Sequence, residues 1–275
     1  MSELKFRAER ISEHITRIYA FSSELMYLVE GDREAALLDS GSGIGFVRPF
    51  VEKLTAKPIK VLLTHGHVDH AMGASEFSTE CVYISQKDAY IYREHCTHEF
   101  RSEAFLLMGE KGISITENDF TPVVPIENYH DLAEGDIFDL GGISVEIYAC
   151  PGHTKGSLVM LIPEERMLLL GDACNGYTFM FQDYSLPIED YRISLIGIKN
   201  KLEGKYDQAL ASHGNGALAH EVISENIFLC ENLLKGISDK IPMEFRGDAG
   251  WVASGTAKPG HGNIVYHPDR IFSNK

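Results

Sequence analysis

A chain of 275 residues, 44% hydrophobic and 24% charged, can bury a sizeable core without disulfide or metal staples. Its formal net charge of -15 opposes binding to nucleic acid or an anionic membrane, because no basic stripe offsets the repulsion a phosphate surface would meet. Residues 1–14 mix charges without a signal-like apolar core, and no later run approaches the roughly 20 apolar residues that span a bilayer, so a soluble, cytoplasmic protein is expected.

The first predicted elements are strands at His14–Phe21, Glu24–Gly31 and Glu34–Gly43, each short, apolar and bounded by turn formers. A helix over Gly45–Leu54 follows, with Phe46, Val47, Phe50, Val51 and Leu54 at helical spacing. A strand at 59–64 leads into a histidine cluster, then a helical segment at 73–78 and a strand at Cys81–Ser85. Strands followed by alternating strand and helix imply sheets covered by helices. Residues Lys87–Met108 read as helical and 115–128 as loop, a long excursion that suits a lid over a site, a surface helix pair or a homodimer contact.

Strand character resumes at 136–140 and 143–150 around the turn Gly141-Gly142. Further strands are expected at 156–163 and 166–176, then a helix through Tyr191, Leu195, Ile198 and Leu202, a strand at 207–214 and a helix at Glu221–Ile237. The glycine-rich tail from Ile241, with the single Trp251, gives no clear element. Five dispersed cysteines, Cys81, Cys96, Cys150, Cys174 and Cys230, show no C-x-x-C spacing, which argues against a disulfide framework or a thiolate zinc site.

Four places share one design, in which a strand ends and a His or Asp stands in the turn beyond it: 62–70, 148–154, 168–174 and 209–214. Metal ligation accounts for that design, since strand ends from one face can converge while rigid strands hold the ligands. In an extended segment His65 and His67 would point the same way and grip one ion; Asp69 and His70, in the turn into a helix, can address a second. His153 follows a convincing strand, whereas the second Pro-Gly-His at 259–261 lies in the irregular tail; His213 closes a strand, whereas His220 and His267 read as solvated or capping residues.

The ordered series His-x-His-x-Asp-His at 65–70, Pro-Gly-His-Thr-Lys-Gly-Ser at 151–157, Gly-Asp-Ala at 171–173 and Ser-His-Gly at 212–214 resembles the metallo-β-lactamase superfamily, over residues 14 to 235 or so. The resemblance implies an α/β (α+β) fold, a four-layer αββα sandwich with two metal ions at one edge. It implies His65, His67 and His153 as ligands of one ion, Asp69, His70 and His213 as ligands of the other, and Asp172 as the bridge. Asp39 matches the early aspartate that supports the histidine loop from outside the ligand shell, though a turn-initiating role before Ser40 suits it equally. Residues 1–240 form the expected domain, with a lid insertion near 86–127, and 241–275 a C-terminal extension packed on it.

Two divalent ions, zinc first and iron or manganese as alternatives, would lower the pKa of water towards neutrality and supply a metal-bound hydroxide, with Asp69 orienting it and passing its proton to the leaving group. Tyr177 would either donate a hydrogen bond to the substrate oxygen or pack in the pocket wall with Phe179, Met180 and Phe181. Lys155 stands where the family often has proline, and would either reach an anionic substrate or remain solvated. Asp172 in place of a ligand cysteine argues against antibiotic hydrolysis, so the expected activity is hydrolysis of a small-molecule ester, thioester or lactone. The alternatives are a mononuclear iron oxygenase of the persulfide-dioxygenase type, and a phosphodiesterase or β-lactamase on the same fold.

Overall fold

The computed structural model describes residues 5–21, 23–108, 113–255 and 260–273. Strands Arg7–Arg10 (β1), Ile15–Tyr19 (β2), Leu25–Glu30 (β3), Ala35–Leu38 (β4), Ile59–Leu62 (β5), Val82–Ile84 (β6) and His130–Asp131 (β7) form one sheet in chain order. Strands Ile137–Asp139 (β8), Ser144–Ala149 (β9), Leu158–Ile162 (β10) and Met167–Gly171 (β11) begin a second sheet, Thr178–Met180 (β12) leaves it for a third, and Gln208–Ala211 (β13) and Ala217–Leu218 (β14) complete the second. The third sheet adds Ile241–Phe245 (β15), Asp248–Ser254 (β16) and Asn263–Tyr266 (β17) in the order β12-β17-β16-β15. The helices are Arg48–Leu54 (α1), Val68–Ala71 (α2), Ala89–His95 (α3), His98–Met108 (α4), Ile188–Leu202 (α5) and Val222–Leu234 (α6).

Near-continuous apolar strands such as β3, β10 and β11 are buried on both faces, and their alternation assigns each face to a different core. Leu25, Tyr27 and Val29 of β3 meet Leu158, Met160 and Ile162 of β10 in the layer between the first two sheets. Met26 and Leu28 turn outward, into the core shared with Val51 of α1 and Tyr92 of α3. On the far side Val159, Leu161, Leu168 and Leu170 pack under Tyr191, Leu195 and Ile198 of α5 and Val222 and Leu229 of α6. Helix, sheet, sheet, helix is therefore the order of layers, the four-layer αββα sandwich expected, and each fully buried leucine or isoleucine in it contributes about 1.5–3 kcal/mol.

Several elements differ from the sequence reading. The helical stretch 87–108 is broken: α3 ends at His95 with Cys96 as its cap, and α4 restarts behind Thr97, whose Oγ1 accepts from the Phe100 amide at 3.2 Å as an N-cap. The helix expected at 73–78 is a 3-10 turn over Met72–Glu76. His65 and His67 are not on an extended strand; His67 is the residue before α2, so Asp69 and His70 project from a short helix instead of a turn. The charged N-terminal segment contains β1, paired antiparallel with β2. The tail, given no clear element, builds most of the third sheet, with a hairpin whose turn Arg246-Gly247 joins β15 to β16. Pro259 of the second Pro-Gly-His, and residues 109–112 of the expected lid, lie outside the described residues.

Strand direction explains why the chemistry-bearing turns meet. Strand β5 runs parallel to β4, β11 parallel to β13, and β9 and β11 both antiparallel to β10, so the C-terminal ends of β9, β11 and β13 leave the second sheet on the same rim. Backbone hydrogen bonds from Leu158 to Thr64 (2.9 Å) and from Leu25 to Ser212 (2.7 Å) join the two sheets there.

Candidate metal centre

His65, Gly66 and His67 follow β5; His153, Asp172 and His213 follow β9, β11 and β13. His65 Nε2 lies 3.0 Å from His67 Nδ1, which lies 2.9 Å from His153 Nε2. Three ring nitrogens converging this closely match a tetrahedral ion, whose ligands at about 2.0–2.1 Å stand roughly 3.3 Å apart. The far nitrogens of two rings fix which nitrogen is bare. His153 Nδ1 donates to the Phe179 carbonyl at 2.7 Å, and His65 Nδ1 donates to Thr64 Oγ1 at 3.0 Å, whose own proton goes to Asp39. Burial first, then the neighbouring imidazoles, holds His65 and His67 well below the usual histidine range, so both are neutral lone-pair donors at neutral pH.

The second cluster lies against the first. Asp69 Oδ2 is 3.6 Å from His70 Nε2 and 3.4 Å from His213 Nε2. Asp172 Oδ2 is 3.6 Å from His70 Nε2, 3.3 Å from His213 Nε2 and 3.8 Å from His153 Nε2, so one oxygen faces both groups. His70 Nδ1 donates to Asp39 Oδ2 at 2.8 Å, and His70 Nε2, buried without a hydrogen-bond partner, is left facing the two carboxylates. Such an orphaned buried nitrogen is costly unless a cation completes it, and the donor set fits one: His65, His67 and His153, then Asp69, His70 and His213, then His65, His70 and Asp172 each gather their ligand atoms within 4.8 Å. Here the electrostatics reverse. Burial opposes charge on both imidazoles, but Asp172 and Asp69 push His213 up to about 9, and Asp69, Asp39 and Asp172 raise His70 well above its ordinary value. Asp172, against its own burial, is held well below the usual carboxylate range by His213 and His70.

Comparison with known proteins agrees with this geometry. The family model described as the metallo-beta-lactamase superfamily matches residues 20–190. The chain belongs to that superfamily. An uncharacterized Mycobacterium tuberculosis protein is 33% identical over 135 residues, 47% of this chain and 55% of the relative, so the chain spans about half the length of the first curated relatives it matches. Hydroxyacylglutathione hydrolase GloC of Haemophilus influenzae is 24% identical over 207 residues, 74% of this chain and 90% of the relative. A metallo-beta-lactamase from Pontibacter korlensis superposes with a TM-score of 0.59 at 17% identity, covering 83% of this chain and all of that one, a likeness of fold alone.

Around the superfamily's ligand turns stand residues that carried no signal in the sequence. Asp88, fully buried at the start of α3, accepts from the Gly66 amide (3.0 Å), Thr154 Oγ1 (2.7 Å) and the Gly156 amide (2.7 Å), clamping the His65 loop to the His153 loop. Burial raises its pKa, and these three donors oppose the rise. A Cβ on Gly156 would come within 2.6 Å of the Asp88 carboxyl carbon, so glycine is required there. His95 stacks on His67 with centroids 5.0 Å apart and accepts from the Val68 amide; burial pushes its pKa down to about 3. Asn175 Nδ2 donates to Asp172 Oδ1 at 3.0 Å, orienting the shared carboxylate. Glu24, buried beside Ser42, is pushed up to about 7 by burial.

Both clusters open into a cavity of about 700 Å³. Its walls come from α3 and α4 (Glu94, His95, Phe100), the turn after β11 (Tyr177), β12 (Phe179) and the C-terminal hairpin (Phe245, Arg246). Tyr177 lines it and is 58% exposed, while Lys155 is absent from the lining and sets its amine 5.8 Å from the Tyr90 ring centre. Tyr184, which the sequence reading passed over, lines the cavity edge-on to His67 at 5.3 Å, and its hydroxyl makes no hydrogen bond among the described residues. No helix among the described residues is long and apolar enough to cross a membrane.

Proposed function

We propose that this chain is a metal-dependent hydrolase of a small ester, thioester or lactone, working with two divalent ions, zinc first among the candidates. The observation that carries this reading is the completeness of the ligand set: seven side chains from four segments, with one ring nitrogen of His65, His70 and His153 tied outward so that the other faces inward. Divalent ions in such a set lower the pKa of water towards neutrality and polarise a carbonyl oxygen, which removes the need for a protein nucleophile.

The chain's own residues would do the rest. Asp172, steered by Asn175, shares one oxygen between the clusters and keeps them in register. Asp69 turns Oδ2 to His70 and His213, leaving Oδ1 to accept the water's proton and deliver it to the leaving group. Phe100, Phe179 and Phe245 exclude water from the acyl side and favour a small organic substrate over a polymer. The similarity to GloC, a hydroxyacylglutathione hydrolase by name, supports a thioester among the three ester classes.

The test is metal analysis of protein purified without added metal, followed by a panel of thioesters, lactones, phosphodiesters and β-lactams. Two zinc or manganese ions per chain, with thioester or lactone hydrolysis abolished by a chelator and restored by metal, is the expected result. One iron per chain with oxygen uptake would replace the hydrolase by an oxygenase. Fastest turnover of a phosphodiester or β-lactam would overturn the substrate class.

A further inference from the structure

Arg246 and Gly247 are the two-residue turn of the β15–β16 hairpin, with Phe245 and Asp248 paired across it. Both have positive φ, 55° and 85°, the pattern of a type I′ turn, which favours asparagine before glycine. An arginine held in that region is a strained choice, and such strain marks places where the side chain has a task. This side chain crosses the cavity mouth to α4, where its guanidinium sits 4.0 Å from the Phe100 ring centre. Phe100 stacks on His95 at 3.9 Å, and His95 on His67, so the guanidinium caps a column of rings that begins at the metal clusters.

Stacking occupies the face of a guanidinium and leaves its in-plane N–H groups free. Among the described residues none of those groups of Arg246 is hydrogen-bonded. The nearest acid oxygen, Glu103 Oε2, is 3.8 Å away, and the side chain is only 20% exposed. It is also the sole lysine or arginine among the described residues lining the cavity. A half-buried fork of donors, open to the cavity and with its one acid neighbour no nearer than 3.8 Å, is free to take a planar acceptor from a bound molecule.

We propose that Arg246 receives a free carboxylate on the substrate, so that this site selects acyl esters or thioesters whose acyl limb ends in a carboxylate. Glu94 and Asp248 in the same wall repel a dianion, which favours a single planar carboxylate over a phosphate. The proposal rests on the hydrolase reading for the position of the reacting carbonyl.

The decisive variant is Arg246→Asn, which suits the turn and removes the guanidinium. The probes are succinyl, glutaryl and adipyl thioesters of N-acetylcysteamine, their methyl esters, and thioether analogues in which a methylene replaces the thioester carbonyl. In calorimetry on metal-loaded protein, the wild type binds at least one thioether acid about tenfold more tightly than its methyl ester. Arg246→Asn brings that preference close to unity with an unchanged or higher Tm, Arg246→Lys keeps part of it, and KM for the matching thioester acid rises more than kcat falls. A wild type without preference at any chain length, or an Asn variant that keeps the preference or weakens acid and ester equally, overturns the assignment. Because binding is read on thioethers, a preference without thioester turnover breaks the hydrolase reading and leaves Arg246 standing; turnover without preference does the reverse.

Discussion

The first cluster, His65, His67 and His153, and the second, Asp69, His70 and His213, touch, yet protons are held oppositely on the pair His65 and His67 and on the pair His70 and His213. Burial and crowding strip protons from His65 and His67, so these two offer bare nitrogens at neutral pH. In the second, carboxylates raise His70 and take His213 up to about 9, so both imidazoles keep protons that an entering cation must displace. The difference teaches that one segment can build two unlike sites: His65 and His67 precede α2 and see mostly imidazole, while His70 lies on α2 and faces the carboxylates of Asp39, Asp69 and Asp172.

The largest effect that can break this comparison is removal of the shared carboxylate. Asp172→Ala should cost the second ion and lower hydrolysis on the order of a thousandfold; retention of both ions at wild-type affinity would contradict the bridge. Asp39→Ala comes next, because one carboxylate holds His70 directly and His65 through Thr64. It should weaken metal binding at both clusters by about 10- to 100-fold, read by competition with a chelator. If the two clusters are independent, only the second responds.

Asp88→Ala sharpens the comparison from the other side, since Asp88 clamps only the loops of the first cluster. It should cost about 3 kcal/mol in denaturant unfolding, from buried amides left without acceptors, and loosen the first ion before the second. The smallest effect is in protons. A group whose folded pKa is raised keeps its stabilising contribution below its unfolded pKa and loses it as pH climbs through the folded value. The metal-free chain should therefore lose stability from the raised His213 as pH climbs towards about 9. Calorimetry in buffers of unlike protonation enthalpy should correspondingly find proton release at neutral pH when an ion enters between His70 and His213.

The strand-end residues stood out because a His or Asp follows each of four apolar strands, and strand ends on one rim can converge; the four-layer sandwich and the seven-residue ligand set came from the family resemblance those motifs carry. Asp88, His95 and Asn175 did not stand out. They reach the site from α3 and from the turn after β11, and a lone acid, histidine or asparagine there looks like any half-exposed neighbour until the backbone shows what it touches. The tail was illegible for another reason: β12 and β17 are short, and their parallel pairing joins residues far apart in sequence, so no local alternation announces it.

That pairing bears on how the gene can be cut. The family match ends at residue 190, and a protein engineer trimming to that boundary would discard His213, the hairpin and β17 together. Even a gentler truncation before Asn263 would leave Thr178–Met180 without its parallel neighbour, and the carbonyl of Phe179 is the group that receives the His153 ring proton. A segment that resembles a dispensable appendage thus sets the aim of a candidate ligand more than a hundred residues upstream.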